Sequence, residues 1–539
     1  MTGQNFLPRT TLGQVGIPTQ IIQNLLDRFE KDKLTIHSMM LVRYGKVAAE
    51  CWWKPYAPEL PHHIYSFSKS FTSTAVGFAI AEGYFSLNDH VADFFGDKIK
   101  PIADSRIRLL TVRHLLTMSS GIMANELIAA SDTDWAEIFL NSPMAFDPGS
   151  AFHYNSINSY LLACIVKQTT GLGLCDYLRP RLFEPLGISD VRWETSPDGV
   201  ETGGWGLYLR TEDLAKFGLL YEQRGIWNGK QLLPKGWAEE ATKMQIDNSV
   251  TSKGEIDIID NKAGYGYQFW CCRTPGIFRA DGAFAQYAIM WPDKDLVFVV
   301  TSGQGPPTKV LDAIWDELIT PMLEQDGTAN WAKNPNAGSD PALQRRFDSL
   351  SLAPTPAVSP RQPELEERIN RKVYRCPHNL VSMLPFVVRG MDRLFVRGLR
   401  QFDFNFGSDR CLFTWTENKE LNSLVIPFDG TFARSSLLLS GKRYDVASCG
   451  RWKDETTFTM AVHFIHTPHK RIWNIQFPLG GDSAVVTNDE LPTLRDSLGF
   501  AFDMKMASAP EQLEKQVLRF CEKIQLPVIA IPSLLDSET

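Results

Sequence analysis

Residues 64–83 read IYSFSKSFTSTAVGFAIAEG, and the fold turns on how Ser66 and Lys69 sit in this stretch. Behind them, Phe71 to Glu82 is rich in small apolar residues, and its polar positions are nearly all Ser or Thr. That pattern predicts a helix buried on most sides, stopped at Gly83. Residues three apart on a helix share a face, so Ser66 and Lys69 lie side by side. A serine at a helix N-terminus offers its backbone N–H to a developing oxyanion. Its hydroxyl is a poor nucleophile until a base takes the proton, and a desolvated lysine can have its pKa lowered enough to do so. The pair is the minimal apparatus for acyl transfer through a covalent serine ester. Ser-x-x-Lys is a short motif, and its plain alternative is a solvated first turn with Ser66 as N-cap. The apolar helix that follows gives the lysine a buried setting.

Two further segments carry polar groups of the right kind. Tyr154-Asn155-Ser156 follows Asp147-Pro148-Gly149 and precedes the apolar run Ile157 to Ile165. A phenol can relay protons when a nearby cation stabilises its anion. The plain alternative is a tyrosine packed in a loop before a helix. Ala280-Asp281-Gly282-Ala283 leads into Phe284, Ala285 and Gln286. A glycine there lets a strand edge approach a ligand closely, and the next N–H, of Ala283, is placed to be a second oxyanion donor. The alternative is a bend with Asp281 in a turn.

Around these segments the chain mixes helices and strands. Met39 to Val47 reads as a strand and turn, with Gly45 at the bend. Val112 to Met118 and Tyr160 to Thr169 read as helices, the second stopping at Gly171. Tyr287 to Met290 and Leu296 to Thr301, separated by Pro292 and Asp293, form a hairpin pattern. From Trp331 to Arg371 the chain turns to NPNAGSDP and then Pro354, Pro356, Pro360 and Pro363, which reads as a linker without a helix or central strand. The charged stretch Glu364 to Lys372 reads as a helical turn. The expected division is 1–335, a linker over 336–370, and 371–539. In the last region Phe402, Phe404 and Phe406 alternate with polar residues. Leu412–Thr416, Leu424–Phe428, Thr457–Ile465 and Ile472–Phe477 are strand-like, with turns at Asp429-Gly430 and Gly480-Gly481. Short strands at this spacing predict a β-barrel or sandwich, closed by a helix over Ala509–Cys521.

Composition sets bounds. The 539 residues are enough for about two to four domains. With 55 basic and 62 acidic residues, a net charge of −7 and no basic run, nucleic acid and anionic membranes are not expected partners. No run approaches the ~18 apolar residues of a membrane span, and MTGQNFLPRT carries no secretory signal pattern. Nine scattered cysteines without a CxxC read as reduced thiols and a cytoplasmic protein.

Together these segments resemble the serine β-lactamase and penicillin-binding-protein superfamily, in the branch related to class C β-lactamases with its esterases, D-aminopeptidases and aminohexanoate-oligomer amidases. The resembling stretches are IYSFSKSFTSTAVGFAIAEG, TVRHLLTMSSG, PGSAFHYNSINSYLLACIVKQTTG, GGWGLYLRTEDLAKFGLLY and ADGAFAQYAIMWPDKDLVFVVTSG, in that order over roughly residues 35–320. The resemblance implies an α+β fold, an antiparallel sheet flanked by helices plus an all-helical region. It implies Ser66 as the acylated nucleophile, Lys69 as its partner base and Tyr154 as the proton shuttle. Backbone N–H groups of Ser66 and Ala283 would form the oxyanion hole. Ser156 stands where the family has asparagine, and a hydroxyl there can still bond the lysine or a substrate carbonyl. Ala280 stands where relatives carry lysine or histidine, so the usual anchor for a substrate carboxylate is missing. That argues against efficient β-lactamase activity. Asp281, beside Gly282, offers instead a site for a substrate ammonium. The strand-rich C-terminal region resembles the lipocalin-like barrel appended to some members.

The expectation is a serine hydrolase acting on a small ester, amide or short peptide, without metal or organic cofactor, as a monomer or homo-oligomer. Acyl transfer on the same site, or a binding role on a retained fold, are its rivals. His463, His466 and His469 are spaced for a zinc site only on a helix. Here they fall on a strand pattern, which sends His463 and His466 to opposite faces. His62 and His63 read as a solvated loop near the cleft, and His153 as a neighbour of Tyr154.

Overall fold

The structure is a computed structural model. It describes residues 6–124, 129, 133–251, 254–255, 259–324, 331–353, 359–392, 394, 398–479, 481–493, 496 and 526–533. Two compact units emerge. Within the described residues the first spans 6–52 and 57–350, and the second 53–56, 351–493 and 526–533.

Numbering the strands of the two large sheets in chain order, the first unit contains β1 (Ile36–Arg43), β2 (Lys46–Trp52), β3 (Trp270–Cys271), β4 (Phe278–Gly282), β5 (Gln286–Trp291) and β6 (Leu296–Ser302). Their order in space is β3-β4-β5-β6-β1-β2, antiparallel throughout. β1 and β2 are joined at Tyr44-Gly45, both at positive φ, the conformation that matches the strands' twist. β1 is buried along its whole length, as a central strand covered on both faces must be. Three helices position the chemistry: α1 (Ser68–Ala81), α2 (Ile157–Thr170) and α3 (Thr211–Glu222). α3 lies across β1, β5 and β6, while α1 packs on α2. Every residue of α1 from Ser68 to Ala79 is buried, so its hydroxyls must bond within the protein. Thr72 Oγ1 donates to Gly203 O (2.7 Å), and Thr74 pairs with the Tyr221 hydroxyl (2.8 Å).

The stretch expected as a linker is more ordered than its prolines suggested. It holds two helices, Pro341–Ser349 and Pro363–Ile369, and the division between units falls after Leu350. In both, a proline occupies the first turn, where the missing N–H is not needed. Asp340 caps the first helix by accepting from the N–H groups of Ala342 and Leu343. Arg346 on that helix pairs with Asp27 at 2.7 Å and Glu30 at 3.2 Å, which ties it to the first unit.

The second unit is a barrel-shaped antiparallel sheet of ten strands: β7 (Tyr374–Arg375), β8 (Leu399–Phe406), β9 (Arg410–Glu417), β10 (Glu420–Pro427), β11 (Ala433–Leu439), β12 (Lys442–Trp452), β13 (Thr457–Phe464), β14 (Lys470–Gln476), β15 (Ala484–Leu491) and β16 (Val528–Pro532). The order is β10-β9-β8-β7-β16-β15-β14-β13-β12-β11. The seam between β10 and β11 is bridged by a side chain: Asn422 Nδ2 donates to Leu438 O (2.8 Å), and Leu438 N–H donates to Asn422 Oδ1 (2.9 Å). Phe402, Phe404, Phe413, Trp415, Phe458 and Trp473 fill the core. Lipocalin barrels have eight strands, so the likeness extends only to the architecture. Trp53–Tyr56 also belongs to this unit: Leu352 N–H donates to Lys54 O (2.8 Å), and the Tyr56 hydroxyl donates to Thr467 O (3.0 Å). The three histidines part company. His463 packs edge-on against Phe432, and His466 faces Asp445 at 3.4 Å. The helix expected over Ala509–Cys521 lies outside the described residues. Among the described residues no helix is long and apolar enough to cross a membrane.

Candidate active site

Ser66 sits in a 3-10 turn, Tyr65–Phe67, that runs directly into α1. One turn on, Lys69 is 1% exposed, and its Nζ donates to Ser66 Oγ at 3.0 Å, Ser156 Oγ at 2.9 Å and Gly204 O at 2.7 Å. All three acceptors are neutral oxygens. These contacts hold Nζ directly beside the Ser66 hydroxyl. Ser156 opens α2 and so brings its hydroxyl to the lysine from the helix end. Gly204 comes from the GGWG stretch, and the approach is tight. A Cβ at Gly204 would lie 2.8 Å from Ser156 O, so no larger residue fits between α2 and the lysine's acceptor.

Tyr154 is the next wall. Lys69 Nζ lies over its ring, 4.8 Å from the centroid, a cation–π contact. Trp270 stacks on the same tyrosine (5.7 Å, 24°) and Tyr265 meets it edge-on (6.4 Å). Burial holds the Tyr265 phenol well above its ordinary pKa, so this neighbour stays neutral. The His153 ring lies against Phe146.

The third segment closes the site along β4. Ala280 is fully buried in the sheet. Asp281 is partly exposed, but Arg279 Nε donates to its Oδ2 at 2.9 Å. Burial pushes the Asp281 carboxyl up, and Arg279 opposes that shift. The carboxylate expected to meet a substrate ammonium is therefore already matched by a cation. A Cβ at Gly282 would lie 2.1 Å from Ile64 O, so the strand end and the turn carrying Ser66 approach as closely as backbones can. Ala283 follows Gly282 directly in the chain.

The structure thus brings Ser66, Ser156 and Tyr154 to Lys69, and Gly282 to the turn that carries Ser66. Sequence reasoning overlooked Gly204, Arg279 and Trp270. The GGWG run was the only signal for the first, and the other two needed the strand register that sets Trp270 opposite Arg279. His62 and His63 are corrected. They form a buried strand paired with Leu207–Leu209, not a solvated loop, with His62 Nε2 3.0 Å from His37 Nδ1. Leu209 and Tyr208 pair with them, and this ladder shields both rings.

The family model described as Beta-lactamase matches residues 26–319, more than half of the chain, and the chain belongs to that family. The 6-aminohexanoate-dimer hydrolase of Paenarthrobacter ureafaciens is 24% identical over 50% of this chain and 73% of its own length. A protein named beta-lactamase from Escherichia coli K12 is 21% identical over 54% of this chain and 89% of its own. Among solved structures, one from Bacillus anthracis provisionally named 6-aminohexanoate-dimer hydrolase shares the fold. Its TM-score is 0.50 at 19% identity, covering 60% of this chain and 88% of that one.

Proposed function

We propose that this protein is a serine hydrolase that cleaves an ester or amide through a Ser66 acyl-enzyme. The observation that carries it is the 3.0 Å contact between the buried Lys69 Nζ and Ser66 Oγ. Ser66 Oγ attacks the carbonyl carbon while its proton passes to Lys69, which enters this step as the neutral amine. The C–O or C–N bond to the leaving group then breaks, and that group takes a proton relayed through Tyr154. Water adds to the acyl-enzyme by the reverse relay, releases the carboxylic acid and restores Ser66. The N–H groups of Ser66 and Ala283 stabilise the oxyanion in both halves.

Ala280 puts a methyl group where relatives carry lysine or histidine, and the neighbouring Arg279 is paired with Asp281. With no net positive charge there to hold a carboxylate, a neutral ester or amide fits the site better than a β-lactam or a peptide C-terminus. The names of the aminohexanoate-dimer hydrolase relatives favour an amide bond as the one cleaved. The test is intact mass after exposure to a p-nitrophenyl ester, a penicillin and a fluorophosphonate, with Ser66→Ala as control. A Ser66-dependent adduct from the ester and the fluorophosphonate is expected. Turnover of the ester by folded Ser66→Ala at the parent rate would overturn the mechanism.

A further inference from the structure

The backbone on both sides of the nucleophile is strained. Tyr65, which precedes Ser66, has φ 48°, and Phe284 and Ala285, which follow Ala283, have φ 63° and 64°. Left-handed backbone costs a bulky residue on the order of 1–3 kcal/mol and persists only where the surroundings over-determine it. Glycine would adopt it freely, yet the chain places aromatic rings at two of these positions. Those rings meet. Tyr65 and Phe284, both buried, contact edge to face with centroids 5.2 Å apart at 81°.

Each ring's backbone is tied down independently. The Tyr65 N–H donates to His63 Nδ1 (3.3 Å), and its carbonyl accepts from Ser68 Oγ (2.6 Å). Because N–H and C=O of a trans peptide point opposite ways, fixing the Tyr65 carbonyl aims the Ser66 N–H. On the other side, fully buried Gln286 clamps the turn. Its Nε2 donates to Ala283 O (3.0 Å), Phe284 O (3.1 Å) and Ser302 O (2.6 Å), while Ser302 N–H donates to its Oε1 (3.2 Å). The turn is thereby fastened to β6.

We propose that the Tyr65–Phe284 ring contact, seated by Gln286, is a brace that holds the N–H groups of Ser66 and Ala283 at one oxyanion position. This rests on the serine-hydrolase reading above. The three are positioning residues, acting through the peptides they fix. A brace of this kind matters only where charge develops, so its loss lowers kcat and leaves KM nearly unchanged.

The test measures kcat, KM and the affinity of phenylboronic acid, which adds to a serine oxygen and presents a hydroxyl to the oxyanion position. Variants are Tyr65→Ala, Phe284→Ala, the double variant and Gln286→Glu. Each single variant is expected to lower kcat about 10- to 100-fold, part of the 10²–10³ a whole donor carries, and to weaken the boronate in parallel. The double variant should be little worse than the poorer single one, because the two rings act as a unit. Tyr65→Phe should recover most of the activity. Additive losses would overturn the brace. So would Phe284→Ala and Gln286→Glu variants that keep the parent kcat and boronate affinity. If Phe284→Ala does not fold, Gln286→Glu decides by the same readouts, since it keeps both rings but cannot donate to the turn. Activity surviving in Ser66→Ala would instead remove the hydrolase reading itself, whatever the brace variants do.

Discussion

Lys69 and Arg471 are both cations sealed in a protein interior, and the two units treat them differently. Arg471, on the inner face of the barrel, meets Glu490 at 2.6 Å and donates through Nε to Ser382 O at 2.9 Å. The pair sits directly opposite across β14 and β15. Lys69 donates to two hydroxyls and a carbonyl. A buried ion pair fixes charge in place, whereas Lys69 Nζ is held against the hydroxyl that the proposed mechanism asks it to deprotonate. On the proposed function, the barrel uses buried charge for architecture and the first unit uses it for chemistry. The backbone differs too: Tyr65, next to Ser66, sits at φ 48°, while the barrel strands pair antiparallel with one register shift, between Leu399 and Gln401.

Replacing each cation with methionine separates the two uses. Lys69→Met is expected to lower kcat by at least about 10³-fold while stability holds or rises, because an apolar chain of similar length relieves a desolvated charge. Ester turnover beside a denaturant curve checks this, and a folded variant with parental turnover would erase the contrast. Arg471→Met should do the reverse. It leaves Glu490 buried without its partner, at a cost of about 3–5 kcal/mol in unfolding free energy, with acylation at Ser66 unchanged wherever the protein is folded. A variant as stable as the parent would show that the barrel does not depend on the pair.

A smaller effect sharpens the comparison within the first unit. Glu222 ends α3 and is buried. Burial, with Asp295 adding to it, raises its pKa to about 7. The folded state therefore keeps a proton that the unfolded chain gives up nearer pH 4.5. The stabilising contribution is full below that lower value and is lost as pH rises through about 7. Glu222→Gln mimics the protonated form, so its advantage over the parent should grow by about 2 kcal/mol between pH 5 and pH 8. A stability difference that does not change with pH would remove the argument.

Much of the site was legible because its parts are local. Ser66 and Lys69 are one helical turn apart, and the small-residue run behind them could only be a buried helix. The alternation of Phe402 and Phe404 gave the barrel strand in the same way, through the two-residue period of a pleated sheet. The helix over Pro341–Ser349 was missed because proline was weighed as a breaker, when at the first turn it is compatible with a helix. The histidines at 62 and 63 were misjudged because nothing local announces that Leu207–Leu209 will pair with them.

By itself, the sequence determined which side chains could do acyl chemistry and which segments would be helix or strand, since both follow from spacing and type within one element. Tertiary structure alone decided what surrounds them. Gly204 O reaches Lys69, Arg279 neutralises Asp281, and Phe284 leans on Tyr65 only after segments far apart in the chain have packed together. The physical reason is that electrostatics and packing act through space. A charge's partner or a strained turn's support is set by which backbones approach, and a period of two or 3.6 residues carries no record of that.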